Sequence, residues 1–204
     1  RTTPRGAAAH MSTLKVIIAS TRPGRIGEPI GHWVAAAAAA AEVFDRVEIL
    51  DLAEIDLPLM NEPHHPRLRA YVHDHTKRWS RAIDEADAFL MVAPEYNFAI
   101  TAPMKNALDY LSAEWAFKPV GMVSYGGASG GMRAAEMIKQ VLVTLRMVPV
   151  SPALALHFAG KQVVDGEFIP TDANADTLSA MVTELSRVNR ALAVLRQPAE
   201  VGAS

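Results

Sequence analysis

The chain has 204 residues, half of them hydrophobic and 21% charged, with a formal net charge of −2. This length suits one domain with a sizeable core, and the balanced charge indicates neither a nucleic-acid partner nor a polybasic membrane patch. The absence of cysteine excludes disulfides, a thiolate nucleophile and a cysteine-ligated metal. The alanine-rich run at residues 34–43 is too short for the ~20 residues of a membrane span, and no secretion signal is recognisable, which favours the cytoplasm.

The chain ends do not share the pattern of the domain. Residues 1–10 are small, polar and patternless, and Met11 follows them as a natural start. We interpret these ten residues as a remnant of cloning and exclude them from the fold. We expect a single domain over residues 11–197 and a C-terminal tail at 198–204.

The first half of the chain alternates between short apolar runs and helical patterns. A β-branched run at residues 14–19 predicts a strand buried on both faces, and an alternating run at 47–52 predicts a second strand. Between them, alanine dominates a predicted helix from Glu28 to about Phe44. Three prolines and a His-His pair predict a loop at 53–66, and a helical pattern at 68–85 follows it.

The second half continues the alternation of strands and helices. The predicted elements are, in order, a strand at 88–93, a helix at 101–113, a strand at 119–125, a helix at 132–147, a strand at 150–157 and a closing helix at 172–195. Thr101 is a candidate N-cap with Pro103 in the first turn, and an Asp-Gly pair predicts a small hairpin at 163–168. This order predicts an α/β fold with a parallel sheet covered by helices on both faces.

Three loops that follow predicted strands share one edge of such a sheet, where open α/β sheets bind ligands. The first, at residues 20–27, reads S-T-R-P-G-R-I-G. Its hydroxyls, arginines and backbone amides at the start of a helix favour phosphate, although a surface turn with solvated arginines is the alternative. The candidate residues in this loop are Ser20, Arg22, Arg25, Ile26 and Gly27.

The second and third loops combine aromatic faces with glycines. The second reads P-E-Y-N-F-A-I, and either lines a flat ligand or is a turn with an aromatic staple. The third reads Y-G-G-A-S-G-G-M-R, and either allows close backbone approach to a flat ligand or is a flexible turn. The candidates are Pro94, Glu95, Tyr96, Asn97 and Phe98 in the second loop, and Tyr125, Gly126, Gly127, Ser129 and Gly130 in the third.

Together these loops resemble a known family. The string P-E-Y-N-F-A-I-T-A-P-M-K-N-A-L-D-Y at 94–110, with S-T-R-P-G upstream and G-G-A-S-G-G downstream, is similar to the NAD(P)H-dependent FMN reductases. The resemblance covers residues 14 to about 195. It implies a flavodoxin-like doubly wound five-stranded parallel sheet in a three-layer αβα sandwich. It also implies FMN as cofactor, NADPH or NADH as co-substrate, and a homodimer or dimer of dimers packed through residues 105–111.

The resemblance assigns roles to matching residues. Ser20 and Arg22 would hold the FMN phosphate, and residues 94–97 would line the isoalloxazine and ribityl region. Gly126, Gly127 and Ser129 would contact the flavin from the other side. Arg25 stands where many members carry a second serine, so charge would replace a hydroxyl there. No catalytic side chain is implied, because the cofactor supplies the redox chemistry and the protein supplies position and electrostatics.

The sequence leaves the electron acceptor open. A quinone, azo-dye or chromate-type reductase would share the bound FMN and differ in acceptor, and a partner monooxygenase could take the reduced flavin. A non-enzymatic flavodoxin-like carrier is disfavoured, because the phosphate loop has two arginines and the net charge is modest. Arg22, Arg25 and Arg133 are candidates for a 2′-phosphate, but no pattern decides between NADPH and NADH.

Histidine and tryptophan positions suggest packing rather than chemistry. The four histidines between residues 64 and 75 lack the i, i+4 spacing of a helical metal site, so no metal is expected. Trp79 is expected in the core. Trp115 either joins the core or, with Phe117, reaches a neighbouring subunit's flavin pocket.

Overall fold

The computed structural model describes residues 11–196. The predicted cloning remnant at 1–10 and the predicted tail at 198–204 therefore lie outside the described residues. Within the described range, no helix has both the length and the apolar character needed to cross a bilayer.

The core of the molecule is a parallel sheet. Its strands are β1 (Thr13–Ile18), β2 (Arg46–Asp51), β3 (Ala88–Pro94), β4 (Pro119–Gly126), β5 (Val148–Pro149) and β6 (Leu154–His157). The strand order is β2-β1-β3-β4-β5, and β6 also pairs with β4, so the last position of the sheet is filled by two short pieces. All of these pairings are parallel.

Helices cover both faces of the sheet, which confirms the predicted three-layer fold. The helices are α1 (Gly27–Ala40), α2 (Leu52–Ile55), α3 (Asp74–Asp84), α4 (Ala102–Asp109), α5 (Met132–Thr144) and α6 (Asp172–Arg196). One face of the sheet packs against α3, α4 and α5 in a core cluster that includes Trp79, Met104 and Trp115. The other face packs against α1 and α6 in a second cluster that includes Ile30 and Met181. The predicted hairpin is formed by β7 (Val163–Val164) and β8 (Glu167–Phe168).

The buried strands explain why the apolar runs predicted the sheet so closely. Every residue of β1 and β3 is buried, as expected for central strands of a parallel sheet covered on both sides. The edge strand β2 is half exposed and accordingly has alternating polarity. The strand β3 ends on Pro94, one residue later than predicted. Proline is tolerated at this end of the strand although it has no N–H to donate to a neighbouring strand.

The predicted fifth strand at 150–157 is wrong in its extent. Pairing begins earlier, at β5, then stops, and resumes only at β6. Pro152, between the two pieces, has no N–H to donate, so a continuous ladder cannot form through this segment. The interruption leaves the predicted parallel topology intact.

Two predictions in the segment after β2 also need correction. The predicted loop at 53–66 begins inside the single helical turn α2, because Asp51 accepts a hydrogen bond from the Ala53 amide at 2.9 Å and caps it. The predicted helix at 68–85 begins only at Asp74. The Glu62 carboxylate accepts the backbone N–H groups of Val72 and His73 at 2.8 and 3.0 Å, which holds that stretch outside the helix.

Candidate functional site

The loops after β1 and β3, together with the first residues of the loop after β4, enclose one cavity at the carboxyl edge of the sheet. Its volume is about 200 Å³. All of its lining residues are among those singled out from the sequence: Ser20, Arg22, Arg25, Ile26, Pro94, Glu95, Tyr96, Tyr125 and Gly126. The predicted convergence of the loops after β1, β3 and β4 is therefore present in the structure.

The predicted residues that do not line this cavity lie immediately behind or beside it. Gly27 is the first residue of α1, and a Cβ there would overlap the Ser20 and Tyr125 hydroxyls. Asn97 and Phe98 form the tip of the second loop, and Gly127, Ser129 and Gly130 continue the third. The absence of a side chain at Gly27 is thus what lets helix α1 begin directly against the cavity wall.

Ser20 presents an unsatisfied hydroxyl at the base of the cavity. The residue is 1% exposed, and its Oγ has no hydrogen-bond partner of acceptable geometry among the described residues, although the Tyr125 hydroxyl lies beside it. The N-cap of α1, Ile26, has no side-chain acceptor for the first amides of the helix. A buried hydroxyl and uncapped amides are groups that an anion would satisfy.

The two arginines of the first loop have different surroundings. Arg25 makes a bidentate ion pair with Asp51, with both N···O distances at 2.5 Å, and this hydrogen bonding raises the pKa of Arg25. The exposed Arg22 instead lies over the ring of Tyr96, 5.6 Å from its centroid. Among the described residues, no carboxylate lies within ion-pair distance of Arg22. Arg22 therefore brings an uncompensated positive charge to the cavity.

The second loop is a tight turn rather than an open segment. The backbone groups of Tyr96 and Ala99 hydrogen-bond to each other in both directions, at 2.9 and 3.0 Å. The two residues between them, Asn97 and Phe98, have φ of 50° and 70°. Asparagine adopts this left-handed region readily, but phenylalanine does so rarely, which marks the turn as a strained feature next to the cavity.

Glu95 joins the second loop to the third. Its carboxylate accepts hydrogen bonds from the Ser129 hydroxyl at 3.0 Å and from the amide and Nε of Arg133 at 3.1 and 2.7 Å. The hydrogen bonds from Arg133 hold the pKa of Glu95 below its ordinary value. The Arg133 guanidinium also lies 3.8 Å from the centroid of the Phe98 ring. Glu95 thus lines the cavity and also holds the third loop and the first turn of α5 in place.

The third loop turns sharply back onto its own strand. Gly131 has a φ of 82°, and a Cβ there would come within 2.9 Å of the Tyr125 backbone, so only glycine fits. The Gly127 carbonyl accepts the amide of Phe158 at 3.1 Å, which anchors the loop to the segment after β6. Burial raises the pKa of the Tyr125 hydroxyl to about 12, so it stays protonated and can donate into the cavity at neutral pH.

Some contributions to this site were missed in the sequence. Asp51 ends β2 at the same sheet edge and orders the first loop through Arg25, and its position at a strand end is the signal that could have indicated it.

Trp115 is fully buried and donates to the Leu108 carbonyl at 3.2 Å, so it belongs to the core of its own chain. Within residues 11–196, no group of three or more side chains is arranged to hold a metal ion.

The fold and this site define a class of protein. A parallel sheet of order 2-1-3-4-5, with an anion-seeking turn after β1 and an aromatic turn after β3, is the arrangement of flavodoxin-like flavoproteins. The flavin mononucleotide has the matching parts, a terminal phosphate and a flat ring. The comparisons with known proteins identify the family more closely.

A family model described as NADPH-dependent FMN reductase matches residues 13–161. The chain is 39% identical over 145 residues to an NAD(P)H-dependent FMN reductase of Schizosaccharomyces pombe, covering 69% of this chain and 72% of that protein. It is 47% identical over 84 residues to an NAD(P)H:quinone oxidoreductase of Solanum tuberosum, covering 40% and 39%. A flavoenzyme NAD(P)H:(acceptor) oxidoreductase of Paracoccus denitrificans has the same fold, with a TM-score of 0.71, 22% identity and coverage of 88% and 98%.

The chain belongs to the NADPH-dependent FMN reductase family. It is a flavin oxidoreductase that uses FMN and a nicotinamide nucleotide, as the resemblance in its loops predicted.

Proposed function

We propose that the cavity between the three loops holds FMN, with the phosphate at Ser20 and Arg22 and the ring between the second and third loops. The observation that carries this proposal is the buried, unpartnered Oγ of Ser20 next to the uncompensated charge of Arg22. A phosphate would accept a hydrogen bond from the first and charge-assisted bonds from the second. The first amides of α1 would complete the phosphate site.

The side chains around the ring region would orient and shield it. The aromatic face of Tyr96 and the backbone of Gly126 form the walls on two sides, and the turn at Asn97 and Phe98 continues the first wall outside the cavity. Glu95 holds these walls at a fixed spacing through Arg133. When bound, FMN would supply the redox chemistry, which is hydride uptake from NADPH or NADH and electron transfer to a second acceptor. The residues named here bind and position, and none of them is required to transfer a proton.

The acceptor that we favour is free FMN, because the Schizosaccharomyces pombe relative, matched over more than two thirds of its length, is named an NAD(P)H-dependent FMN reductase. A quinone is the second candidate, because the plant relative with 47% identity is a quinone oxidoreductase.

For the assembly we propose a homodimer or dimer of dimers. Leu59 is 82% exposed beside α4, where Asn106 donates to the Pro58 carbonyl at 2.7 Å, so this face carries an apolar side chain suited to a second subunit. A cytoplasmic location and a partner monooxygenase also remain proposals.

The test begins with the absorbance of the purified protein in the flavin bands. Anaerobic NADPH should bleach these bands, and re-oxidation by added FMN or by a benzoquinone should then be timed separately. Faster turnover with free FMN would support the flavin reductase, and turnover with quinone alone would support the second candidate. A protein that binds FMN but is not reduced by either nicotinamide nucleotide would contradict the proposed function.

A further inference from the structure

The Arg25 side chain points away from solvent and towards the neighbouring strand. Its Nη1 and Nη2 each lie 2.5 Å from one carboxylate oxygen of Asp51, the last residue of β2. The two side chains are only 12% and 6% exposed. Parallel double hydrogen bonding between a guanidinium and a carboxylate fixes both distance and orientation, which a single contact does not.

The same guanidinium also reaches the backbone of the residue that carries the orphaned hydroxyl. Arg25 Nη1 donates to the Ser20 carbonyl at 2.8 Å. Asp51 is itself held in place, because its Oδ1 accepts the amide of Ala53 at 2.9 Å. A continuous set of hydrogen bonds therefore connects the end of β2 to the peptide of Ser20.

Asp51 neutralises Arg25, and the exposed Glu28 carboxylate lies 3.4 Å from its Nη2, so Arg25 offers little net charge to a phosphate. Arg22, in contrast, stands exposed over Tyr96. We propose that Arg25 is a positioning residue that acts through Asp51 and the Ser20 carbonyl, and that Arg22 alone supplies the cation for the phosphate. This assignment rests on the proposed function, and it explains how an arginine can replace the second serine of the family's phosphate loop.

The opposite assignment, in which Arg25 contacts the phosphate directly, predicts the opposite change in FMN affinity for Asp51→Asn. Asp51→Asn would remove the nearer and more buried counter-charge of Arg25 and leave Glu28, whose Oε2 lies 3.4 Å from Nη2. A direct ligand would then hold the phosphate as well as or better than before. A positioning residue would lose its anchor in the same variant and would hold Ser20 less well.

The experiment titrates FMN and riboflavin into full-length, flavin-free protein and follows flavin fluorescence. The variants are Arg25→Lys, Arg25→Gln, Asp51→Asn and the double variant Arg25→Gln with Asp51→Asn. Arg187→Gln is the matched control, because Arg187 forms an exposed ion pair with Glu184 on α6, outside the cavity lining. Thermal unfolding of each variant verifies that it is folded, and Arg25→Lys is the mildest change if Arg25→Gln does not fold.

We expect each single variant to weaken FMN binding about tenfold, which corresponds to about 1.4 kcal/mol. The double variant should be no worse than either single variant, since both remove the same connection. Riboflavin binding should change little, because riboflavin has no phosphate. The control should match the wild type.

Two results would overturn the inference while leaving the proposed function standing. One is an Asp51→Asn variant that binds FMN as tightly as the wild type or more tightly. The other is an equal loss of affinity for FMN and riboflavin, which would indicate general distortion of the site. A wild-type protein that binds no FMN would instead remove the proposed function itself.

Discussion

Arg22 and Arg133 both lie beside the cavity, but only one of them is paired. Arg133 is occupied by Glu95 and by the ring of Phe98, whereas Arg22 has only the face of Tyr96. Charge-assisted hydrogen bonds contribute roughly 1.5–3 kcal/mol. We therefore expect Arg22→Gln to weaken FMN binding about ten- to hundredfold, and Arg133→Gln to weaken it less than about threefold. Fluorescence titration with FMN measures both constants.

Salt provides an independent check of the same prediction at the residue scale. The affinity of the wild type for FMN should fall as ionic strength rises, because the Arg22 charge is solvent-exposed and is screened. The salt dependence should be shallower in Arg22→Gln than in Arg133→Gln. Indistinguishable FMN affinities in the two variants would show that the phosphate does not sit at Arg22.

The sequence could predict these residues only as far as local chemistry reaches. The hydroxyls and arginines of the first loop predict an anion site because they lie between a buried strand and the start of a helix. Nothing local, however, says that Arg25 faces Asp51, which is 26 positions away and on a different strand. Such a contact between strands is set by tertiary packing. It gives Arg25 a carboxylate partner and leaves Arg22 as the candidate ligand for the phosphate.

At the scale of elements, Thr101 fixes the start of α4 against Ala19, the residue that follows β1. Its Oγ1 accepts the Met104 amide at 3.2 Å as an N-cap and donates to the Ala19 carbonyl at 2.9 Å, and the residue is 2% exposed. Thr101→Val keeps the shape but leaves both backbone groups unsatisfied. We expect the free energy of unfolding to fall by about 2 kcal/mol, measured by urea denaturation.

The control for this element is Thr144→Ala at the end of α5. The Thr144 hydroxyl donates to the Gln140 carbonyl at an exposed position, so its loss should change stability by less than about 0.5 kcal/mol. Equal effects of the two substitutions would mean that the Thr101 contacts contribute nothing beyond helix propensity. Thr101 shows what sequence patterns predict well, because Thr-x-Pro before a helix is a local signal of a cap.

At the scale of the whole molecule, continuous apolar runs were sufficient to predict the sheet and its covered faces. The exceptions are the places where long-range contacts override local pattern. Glu62 holds Val72 and His73 outside the helix that their sequence pattern predicts, and Pro152 divides the last strand. The convergence of the three loops was predictable because each follows a strand of the parallel sheet, and the carboxyl ends of those strands share one edge.

The opposite edge of the molecule buries a cation, and this gives stability a pH dependence. Lys118 precedes β4, is 5% exposed, and donates to the Ile83 and Asp84 carbonyls of the last turn of α3 at 2.7 and 3.1 Å. Burial lowers the pKa of Lys118 to about 8 from its ordinary value of 10.5. Between these two values the unfolded chain binds a proton that the folded chain has released, so stability increases as pH rises.

We expect the free energy of unfolding of the wild type to rise by about 2–3 kcal/mol between pH 8 and 10.5, relative to Lys118→Met. The difference between the two proteins isolates Lys118, because every other titrating group is common to both. Urea denaturation at pH 7.5 and pH 10 measures it. Lys139→Met, which removes a surface lysine paired with Glu136, should follow the wild-type curve. Parallel curves for wild type and Lys118→Met would show that the buried ammonium keeps its proton throughout, held by the α3 carbonyls more strongly than burial opposes it.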